Sequence, residues 1–365
     1  MKIIHCADIH LDSPFSNMPV EKAAKRREEL LLAMRRMVDY AQSNGIHHII
    51  IAGDLFDKKK PSVTAKNYVI GLIKGSPDIT FYYLRGNHDS NELFRESGSI
   101  PDNLKLFGDE WTKYIITDNA DGYNSPKLVI CAREREENAI SDYSLSLDLR
   151  NFNIVIMHGE AGDGSRNINL KNLRNKGIDY LALGHIHSFY SEKIDNRGIL
   201  CYPGCLESRG FDECGEHGFT VLDINIADRD MKLERVDLSI RNMCRLEVDI
   251  SDCLNEGEIL EKSKRIVESN VFSADDMFLL ELTGTTGIEN DINIHLLEQY
   301  FSNNYYLVRV HDSSEFRIDI EDYRLDESLK GEFVRMVTSD ETLSETDKAK
   351  IIRVGIRALR GEVWS

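Results

Sequence analysis

Five short groups of Asp, Asn and His residues stand where apolar runs of this 365-residue chain end, and their side chains could bind metal ions. Carboxylates, an amide oxygen and imidazoles form a mixed oxygen and nitrogen ligand set. Such a set suits Mn, Fe or Zn and lacks the thiolates of a structural zinc site. Five of the eleven histidines fall in these groups. The groups are Asp8-Ile9-His10, Gly53-Asp54-Leu55-Phe56-Asp57, Gly86-Asn87-His88-Asp89, His158-Gly159 and Gly184-His185-Ile186-His187.

The positions of these groups predict that they converge. Ligands of α/β sheets bind outside the carboxyl ends of the strands, and each group follows a predicted strand. Residues i and i+2 of an extended chain face the same way, so we expect Asp8 and His10 to reach one ion, and His185 and His187 likewise. Two carboxylates, one Asn and four His are too many for one ion and suit a pair about 3.5–4 Å apart. Each group alone also fits an ordinary strand cap, turn or core histidine, but five of them in this order favour a metal site.

The elements that must position these groups alternate along the first 225 residues. Short apolar runs predict strands, and a continuous run such as HHIIIAG predicts a strand that is buried on both faces. Helix-like apolar stripes lie between the strands, and this alternation indicates an α/β layered domain. Strands are predicted at 1–7, 47–53, 80–85, 127–132, 153–157, 180–183 and 221–224, and helices at about 20–44 and 63–73.

The pattern changes near Met243. Strands predicted at 244–250, 278–282 and 305–310, with helices at about 255–269 and 290–302, indicate a small α+β domain. The last 40 residues are helical by pattern, with an apolar and basic stretch at 351–360. We therefore expect a metal-binding domain at 1–240, an α+β domain at 241–322 and a C-terminal helical segment at 323–365.

The series DxH, GDxxD, GNHD, H-G and GHxH resembles the calcineurin-like metallophosphoesterases. The segments MKIIHCADIHLDS, AGDLFDKKKPS, LRGNHDS, LALGHIHS and CYPGCLESRGFDECGEHGF look like the SbcD-type DNA repair nuclease subgroup. The motif match covers residues 1 to about 220, and beyond 240 the resemblance rests on domain order and size. It implies an α/β fold in which a layered two-sheet sandwich is flanked by helices, with a smaller α+β capping domain and C-terminal helices.

The resemblance also implies a role for each motif residue. Asp54 would bridge two divalent metal ions, and Mn is the expected metal, with Fe, Zn or Mg as alternatives. His88 and Asp57 would be the catalytic residues. His88 would stand beside the scissile phosphate, and Asp57 takes a position where some relatives have His. The implied ligands are Asp8, His10, Asp54 and His187 for one metal, and Asp54, Asn87, His158 and His185 for the other.

Substrate contacts are expected from basic side chains near these motifs. Lys58 and Lys59, within the run 58–60, could contact DNA phosphates, as could the Arg pair at 35–36, and a solvated surface is the alternative for both. Arg209 and His217 lie in the stretch GFDECGEHGF and are candidate substrate contacts.

Partners are expected from the same resemblance. They are DNA, an SbcC-like ATPase of the SMC family and a second copy of the chain, which would pair through the helices at 20–44 and 63–73. The amphipathic C-terminal helix would bind the ATPase, or it would pack on its own capping domain.

Composition limits the classes of protein. Apolar residues make up 41% of the chain, an ordinary globular value. No run approaches the roughly 18 apolar residues that span a bilayer, and the segment MKIIHCADIH is not typical of a signal peptide. Seven cysteines without a CxxC pair favour reduced thiols in the cytoplasm. A zinc cluster of Cys201, Cys205 and Cys214 is a less favoured alternative.

The charge leaves two other functions open. The net charge of −17 argues against nucleic acid, but residues 21–36 carry six Lys and Arg against three Glu. Residues 247–298 are acidic, which favours a phosphatase or phosphodiesterase of the same superfamily that acts on a small molecule. A nuclease-inactive scaffold for an ATPase is the other alternative, although every predicted ligand position is filled.

Overall fold

The computed structural model describes residues 1–90, 94, 100–116, 125–134, 144–164, 167–287, 292–317 and 323–359. The chain divides into two compact units, Met1–Ile240 and Arg241–Ser365. Residues 360–365, the end of the predicted C-terminal segment, lie outside the described residues.

One sheet of the first unit begins at the N-terminus of the chain. Its strands are β1 (Lys2–Cys6), β2 (His48–Ala52), β3 (Thr80–Leu84), β4 (Leu104–Leu106), β13 (Gly218–Asn225) and β14 (Asp230–Asp237). Their order across the sheet is β14-β13-β1-β2-β3-β4. Strands β1 to β4 run parallel, while β13 pairs antiparallel with both β1 and β14.

The second sheet of this unit is built from the middle of the chain. Its strands are β5 (Thr112–Ile116), β6 (Leu128–Ala132), β7 (Phe152–His158), β10 (Tyr180–Gly184), β11 (Tyr190–Lys193) and β12 (Ile199–Tyr202). Their order is β11-β12-β10-β7-β6-β5, and the four central strands are parallel. A short parallel pair, β8 (Ala161–Gly162) and β9 (Ile168–Asn169), and a 3-10 turn at Leu170–Asn172 lie between β7 and β10 in sequence.

The two sheets pack face to face around a shared apolar core. Ile50 of β2 and Ile154 of β7 belong to one buried cluster that draws side chains from both sheets. Ile49 and Ile51 point the other way, into a cluster with helices α1 (Val20–Ser43) and α2 (Val63–Lys74). Both faces of β2 are therefore buried, which explains why its sequence shows no alternation. The predicted layered sandwich flanked by helices is confirmed.

The helices end close to their predicted limits. The Ser62 hydroxyl accepts a hydrogen bond from Ala65 N at 3.2 Å and caps α2. Helix α1 ends two residues before Gly45, which has a φ of +63°.

One feature of α1 was not predicted: Arg26 and Glu29 lie on its buried face, joined by an ion pair of 2.6 Å. Arg26 therefore does not contribute to a basic surface.

The second unit contains a parallel three-stranded sheet, β15-β16-β18. Asn293 caps α4 by accepting a hydrogen bond from Leu296 N at 3.1 Å, so this helix begins four residues after its predicted start. The elements are β15 (Met243–Asp249), α3 (Glu256–Ser269), β16 (Met277–Thr283), β17 (Thr285–Gly287), α4 (Ile294–Ser302), β18 (Leu307–Asp312), β19 (Glu315–Arg317), α5 (Leu329–Thr338) and α6 (Glu345–Leu359).

Several strands were not predicted from sequence, and most of these are short or lie at sheet edges. All four residues of the edge strand β11 are exposed. An exposed edge strand gains its hydrogen bonds from one neighbour only and needs no apolar run, so its sequence resembles a loop.

Two sequence expectations concern membranes and cysteines. Among the described residues, no helix is long and apolar enough to cross a membrane. None of the seven cysteines, all within the described ranges, forms a disulfide. The candidate metal-binding groups found in those ranges contain no cysteine, so the alternative of a zinc cluster at Cys201, Cys205 and Cys214 gains no support.

A histidine is buried between the two sheets. His5 of β1 is fully buried, and its Nδ1 lies 2.8 Å from the Tyr180 hydroxyl of β10. Burial lowers the pKa of His5 from 6.5 to about 3, because the charged imidazolium would lose its hydration. His5 is therefore neutral in the folded chain at neutral pH.

This burial predicts an acid-sensitive stability. Between pH 6.5 and about 3 the unfolded chain binds a proton at His5 that the folded chain rejects. The free energy of unfolding should therefore fall by about 1.4 kcal/mol per pH unit over that window from this group. We expect His5→Gln to lack this contribution, measured by urea unfolding with EDTA at about pH 7.5 and about pH 5.5. Parallel pH dependences for the wild type and the variant would contradict the prediction.

Candidate metal centre

The five predicted groups follow five parallel strands of the two sheets. Asp8, Asp54 and Asn87 come after β1, β2 and β3 in one sheet, while His158 ends β7 and His185 follows β10 in the other. All five strand ends are carboxyl ends, so the groups meet at one edge of the sandwich.

Two sets of hydrogen bonds join the sheets at this edge. His158 Nδ1 lies 2.9 Å from the Ala52 carbonyl oxygen of the opposite sheet. The Asp8 carboxylate accepts the backbone N–H of His185 at 2.8 and 3.0 Å. Residues that are far apart in sequence are therefore fixed to one another at the site.

The backbone reaches the site differently from the sequence prediction. Strand β1 ends at Cys6, and Asp8 and His10 have φ values of +50° and +46°, in the left-handed region. His185 also has a positive φ, +104°, directly after β10. The expectation that each i, i+2 pair lies in extended chain is thus wrong. Hydrogen bonds from Asp8 N to Gly53 O (3.1 Å) and from His10 N to Asp54 O (3.0 Å) hold the first pair in this conformation.

Three glycines allow the backbone to pack against the site. A methyl group at Gly53, where φ is +93°, would lie 2.1 Å from the His158 ring. One at Gly184 would lie 2.0 Å from the Ala52 carbonyl oxygen, and one at Gly86 would lie 2.1 Å from Asp54 Oδ1. No larger residue fits at these positions without displacing a side chain or backbone of the site.

One candidate metal-binding group consists of Asp8, His10 and His187, whose ligand atoms lie within 4.8 Å of one another. His10 Nε2 lies 4.0 Å from Asp8 Oδ1 and 3.8 Å from Asp54 Oδ2. The His10 ring is buried, and within the described chain its Nε2 has no hydrogen-bond partner. A buried imidazole nitrogen left unpaired among carboxylates fits a bound cation.

A second group shares a member with the first. Asp8, Asp54 and His158 also have ligand atoms within 4.8 Å of one another. His158 Nε2 lies 3.3 Å from Asp54 Oδ2 and 3.0 Å from Asn87 Oδ1. The ring of His185 is 5.5 Å from that of His158, centroid to centroid. Asp54 thus approaches both His10 and His158, as a ligand shared between two sites must.

The pKa values of the buried groups reflect burial together with contacts between Asp and His side chains. Burial raises the pKa of Asp8 to about 7. Burial would lower the pKa of His158, but a hydrogen bond to Asp54 and the charges of both aspartates raise it to about 9. Burial opposes ionisation of Asp54 as well, yet its contacts with His158 bring its pKa to about 2. Divalent cations would stabilise the same charges, so the donor set fits a pair of metal ions.

His88 and Asp57 lie together beside these groups. The exposed His88 donates its backbone N–H to Asp54 Oδ1 at 2.9 Å, and its Nδ1 lies 3.1 Å from the Asp57 carbonyl oxygen. Its ring centroid is 5.0 Å from that of His10. The neighbouring His10 ring, whose Nδ1 lies 3.3 Å from Asp57 Oδ1, lowers the pKa of Asp57, which stays ionised at neutral pH.

Sequence reasoning gave no role to Asp89, although it belongs to one of the motifs. Its buried carboxylate accepts three backbone N–H groups, from Leu55 at 3.2 Å, Phe56 at 3.0 Å and Gly86 at 3.0 Å. It therefore joins the loop after β2 to the loop after β3. The position of an Asp three residues after Gly86 could have suggested a turn, but not the contact with the other loop.

The predicted substrate contacts fall in different environments. Lys58 and Lys59 are exposed. Arg209 is only 18% exposed, and its guanidinium donates to Asp57 and Glu213. His217 is 3% exposed, and its ring nitrogens lie 3.2 Å from Cys205 Sγ and 2.7 Å from the Glu213 carbonyl oxygen. Its burial leaves no ring atom for a substrate, so the predicted contact at His217 is withdrawn.

Glu213 was not identified from sequence. Its Oε1 lies 2.6 Å from His187 Nδ1. Burial raises the pKa of Glu213, but the hydrogen bond with His187 and the charge of Arg209 outweigh that effect and bring it to about 2. A glutamate in a Gly-rich loop has no local pattern that marks it as a partner of a distant histidine.

The sandwich fold and its clustered carboxylates and imidazoles define a metal-dependent hydrolase. The profile of the family described as "Calcineurin-like phosphoesterase" matches residues 1–189, more than half of the chain. The chain belongs to this family and is a metal-dependent phosphoester hydrolase, as the sequence motifs predicted.

Three relatives are similar at modest identity. "Uncharacterized metallophosphoesterase YhaO" of Bacillus subtilis (strain 168) is 28% identical over 254 residues, which are 64% of this chain and 60% of that protein. "DNA double-strand break repair protein Mre11" of Saccharolobus solfataricus is 24% identical over 73% of this chain and 74% of its own length. A subunit of the nuclease SbcCD from Escherichia coli (strain K12) is 25% identical over 65% of this chain and 67% of its own length.

The close packing at Gly86 generates a prediction. The new methyl group of Gly86→Ala would displace Asp54, so we expect Mn²⁺ affinity to fall roughly 10- to 100-fold, as for other changes that disturb ligand orientation. Titration calorimetry on metal-free protein measures the affinity. Gly108→Ala is the matched control, because a methyl there meets no atom within 4 Å. Equal affinities for the two variants would show that this glycine does not hold Asp54 in place.

Proposed function

We propose that this protein is a two-metal phosphodiesterase that hydrolyses DNA, as an SbcD-like exonuclease or endonuclease in DNA repair. Two of the three candidate metal-binding groups share Asp8, and Asp54 lies close to histidines of both; this arrangement carries the proposal. The third group consists of His10, Asp57 and His88. Support for DNA as substrate comes from relatives whose names are those of a double-strand break repair protein and a part of a nuclease.

The proposed ligands are those that the family resemblance implies. The first metal would be held by Asp8, His10, Asp54 and His187, and the second by Asp54, Asn87, His158 and His185. When bound, such ions polarise the phosphate and make hydroxide available near neutral pH, with Mn²⁺ as the expected metal.

His88 is the proposed catalytic residue. Its Nδ1 faces the Asp57 carbonyl oxygen, so Nε2 is the nitrogen available to a substrate. As an imidazolium, it would donate the Nε2 proton to the leaving oxygen or stabilise charge on the phosphoryl group. The exposed position of the ring leaves room for a polymeric substrate beside it.

DNA phosphates would contact exposed cations of the first unit. Lys58 and Lys59 directly follow Asp57 in the chain and are exposed, as are Arg35 and Arg36 on α1. These side chains offer local positive charge on a protein whose net charge is −17.

Two protein partners are proposed, both in the cytoplasm. Apolar side chains stay exposed on the two C-terminal helices at Met336, Val354 and Leu359, and an SbcC-like ATPase would bind there. A second copy of the chain would pair through α1 and α2, which expose Leu32 and Val63. Exposed apolar surface of this kind is typical of interaction sites.

A small-molecule phosphodiester or phosphomonoester is the second candidate substrate. The acidic net charge favours it, because like charge repels the phosphates of DNA. A nuclease-inactive scaffold for an ATPase is the third candidate.

Hydrolysis assays distinguish these functions. We expect purified protein with Mn²⁺ to cut linear double-stranded or single-stranded DNA and bis-para-nitrophenyl phosphate. We expect His88→Ala to lower the rate on DNA about 10²- to 10⁴-fold, because the alkoxide leaving group of DNA needs a proton donor. The rate on bis-para-nitrophenyl phosphate should fall less, because nitrophenolate leaves without protonation and loses only the stabilisation of phosphoryl charge. His47→Ala is the matched control, since His47 is exposed and its Nδ1 also faces a backbone carbonyl, that of Asp78 at 3.0 Å.

The outcomes separate the candidates. Cleavage of both substrates, with a DNA rate that falls as salt rises, supports the nuclease. Cleavage of the small phosphodiester alone, also after addition of an ATPase partner, favours the small-molecule enzyme. If neither substrate is cleaved and no metal is bound, the nuclease-inactive scaffold is the favoured function.

A further inference from the structure

We propose that Arg209 is a positioning residue, which holds two carboxylates that orient the histidines of the first metal site. This inference rests on the ligand assignment under the proposed function. It gives Arg209 and Asp57 roles that differ from those predicted from sequence, namely substrate binding and catalysis. It also adds Glu213 to the machinery of the site.

Each of the two histidines has a carboxylate at Nδ1. His10 Nδ1 lies 3.3 Å from Asp57 Oδ1, and His187 Nδ1 lies 2.6 Å from Glu213 Oε1. A carboxylate at Nδ1 fixes the tautomer and the rotation of an imidazole, so that Nε2 is presented to the metal. The His187–Glu213 contact is a hydrogen bond, whereas His10 Nδ1 lies close to Asp57 without hydrogen-bond geometry. The chain provides the four residues from four separate segments.

Arg209 joins the two carboxylates. Its Nη1 donates to Asp57 Oδ1 at 2.9 Å, and its Nη2 donates to Glu213 Oε1 at 2.8 Å. Nη2 also lies 3.1 Å from His187 Nδ1. The guanidinium is planar and rigid, so the two oxygens are held at a fixed separation. The orientations of His10 and His187 are thereby linked through one side chain.

The backbone around Arg209 is also fixed. Glu213 Oε2 accepts the Arg209 backbone N–H at 2.8 Å, which closes a loop between the two residues. The preceding carbonyl, that of Ser208, accepts a hydrogen bond of 2.7 Å from Arg26, whose side chain is fully buried on α1. Arg209 therefore extends from a rigid base.

The same contacts argue against a direct contact of Arg209 with DNA. Both of its terminal nitrogens are already paired with carboxylates, and its side chain is 18% exposed. A phosphate would have to compete with two charged partners whose own burial depends on the guanidinium. Lys58 and Lys59 meet no such competition in the described structure.

Metal titration tests the proposal. We expect metal-free wild-type protein to bind two Mn²⁺ ions in titration calorimetry. In Arg209→Gln we expect one of the two affinities to fall about 10- to 100-fold, while the other changes by less than about threefold. We expect Arg209→Lys to show the same loss of affinity as Arg209→Gln, because one ammonium cannot bridge both carboxylates. Arg150→Gln, which breaks the exposed pair with Asp148, is the control and should bind like wild type.

Histidine resonances provide a second readout that does not depend on metal or activity. In metal-free wild-type protein labelled with ¹⁵N-histidine, we expect two imidazoles with protonated Nδ1 whose signals shift in both Arg209→Gln and Glu213→Gln. Arg150→Gln should leave them unchanged. Thermal unfolding of the metal-free protein will show whether Arg209→Gln folds. If it does not fold, Glu213→Gln alone tests the inference.

The outcomes distinguish the inference from the proposed function. If wild-type protein binds no metal, the proposed function fails and the inference with it. If wild-type protein binds two ions, and Arg209→Gln and Glu213→Gln bind both with unchanged affinity and unchanged histidine signals, the inference alone is overturned. An equal loss of affinity at both metal sites would also overturn the inference, because Arg209, Asp57 and Glu213 are proposed to orient ligands of the first site only.

Discussion

The burial of two carboxylates at the junction of the sheets is the constraint on which the rest of the first unit depends. Asp8 is fully buried and Asp54 is 2% exposed. Removing such groups from water costs several kcal/mol each unless other groups stabilise the charge. Backbone N–H groups of His185 and His88 donate to them, and His158 contacts Asp54. His158 and His185 belong to the opposite sheet, so contacts that stabilise the charge also hold the sandwich together.

Local backbone geometry follows from the same constraint. Asp8, His10 and Asp54 adopt left-handed φ values, which cost L-residues about 1–2 kcal/mol each. They are retained because the chain must turn abruptly at the strand ends to aim side chains at one point. Gly86 allows the neighbouring loop to approach closely, and Asp89 fixes that loop by accepting three N–H groups. The site is therefore arranged by the polypeptide itself.

Sequence patterns predicted the parts of the fold that local chemistry determines. Apolar runs located the central strands, because strands buried on both faces must be apolar, and the motifs at their ends identified the family. They did not predict the left-handed turns at Asp8 and His185, because i, i+2 spacing does not specify φ. The burial of His217 and the pairing of Arg209 with Asp57 were also missed. The latter pair is separated by 152 residues, and a contact at that distance leaves no local pattern.

The order of strands along the chain has a consequence for synthesis. Strand β1 pairs with β13, which is complete only at Asn225, so the first sheet lacks an inner strand until the whole second sheet has been made. Asp8, Asp54 and Asn87 leave the ribosome well before His158 and His185. A nascent chain of about 150 residues thus holds the oxygen donors without these histidines. Assembly of the centre must therefore wait until β13 has been made, and its non-local pairing favours slow folding.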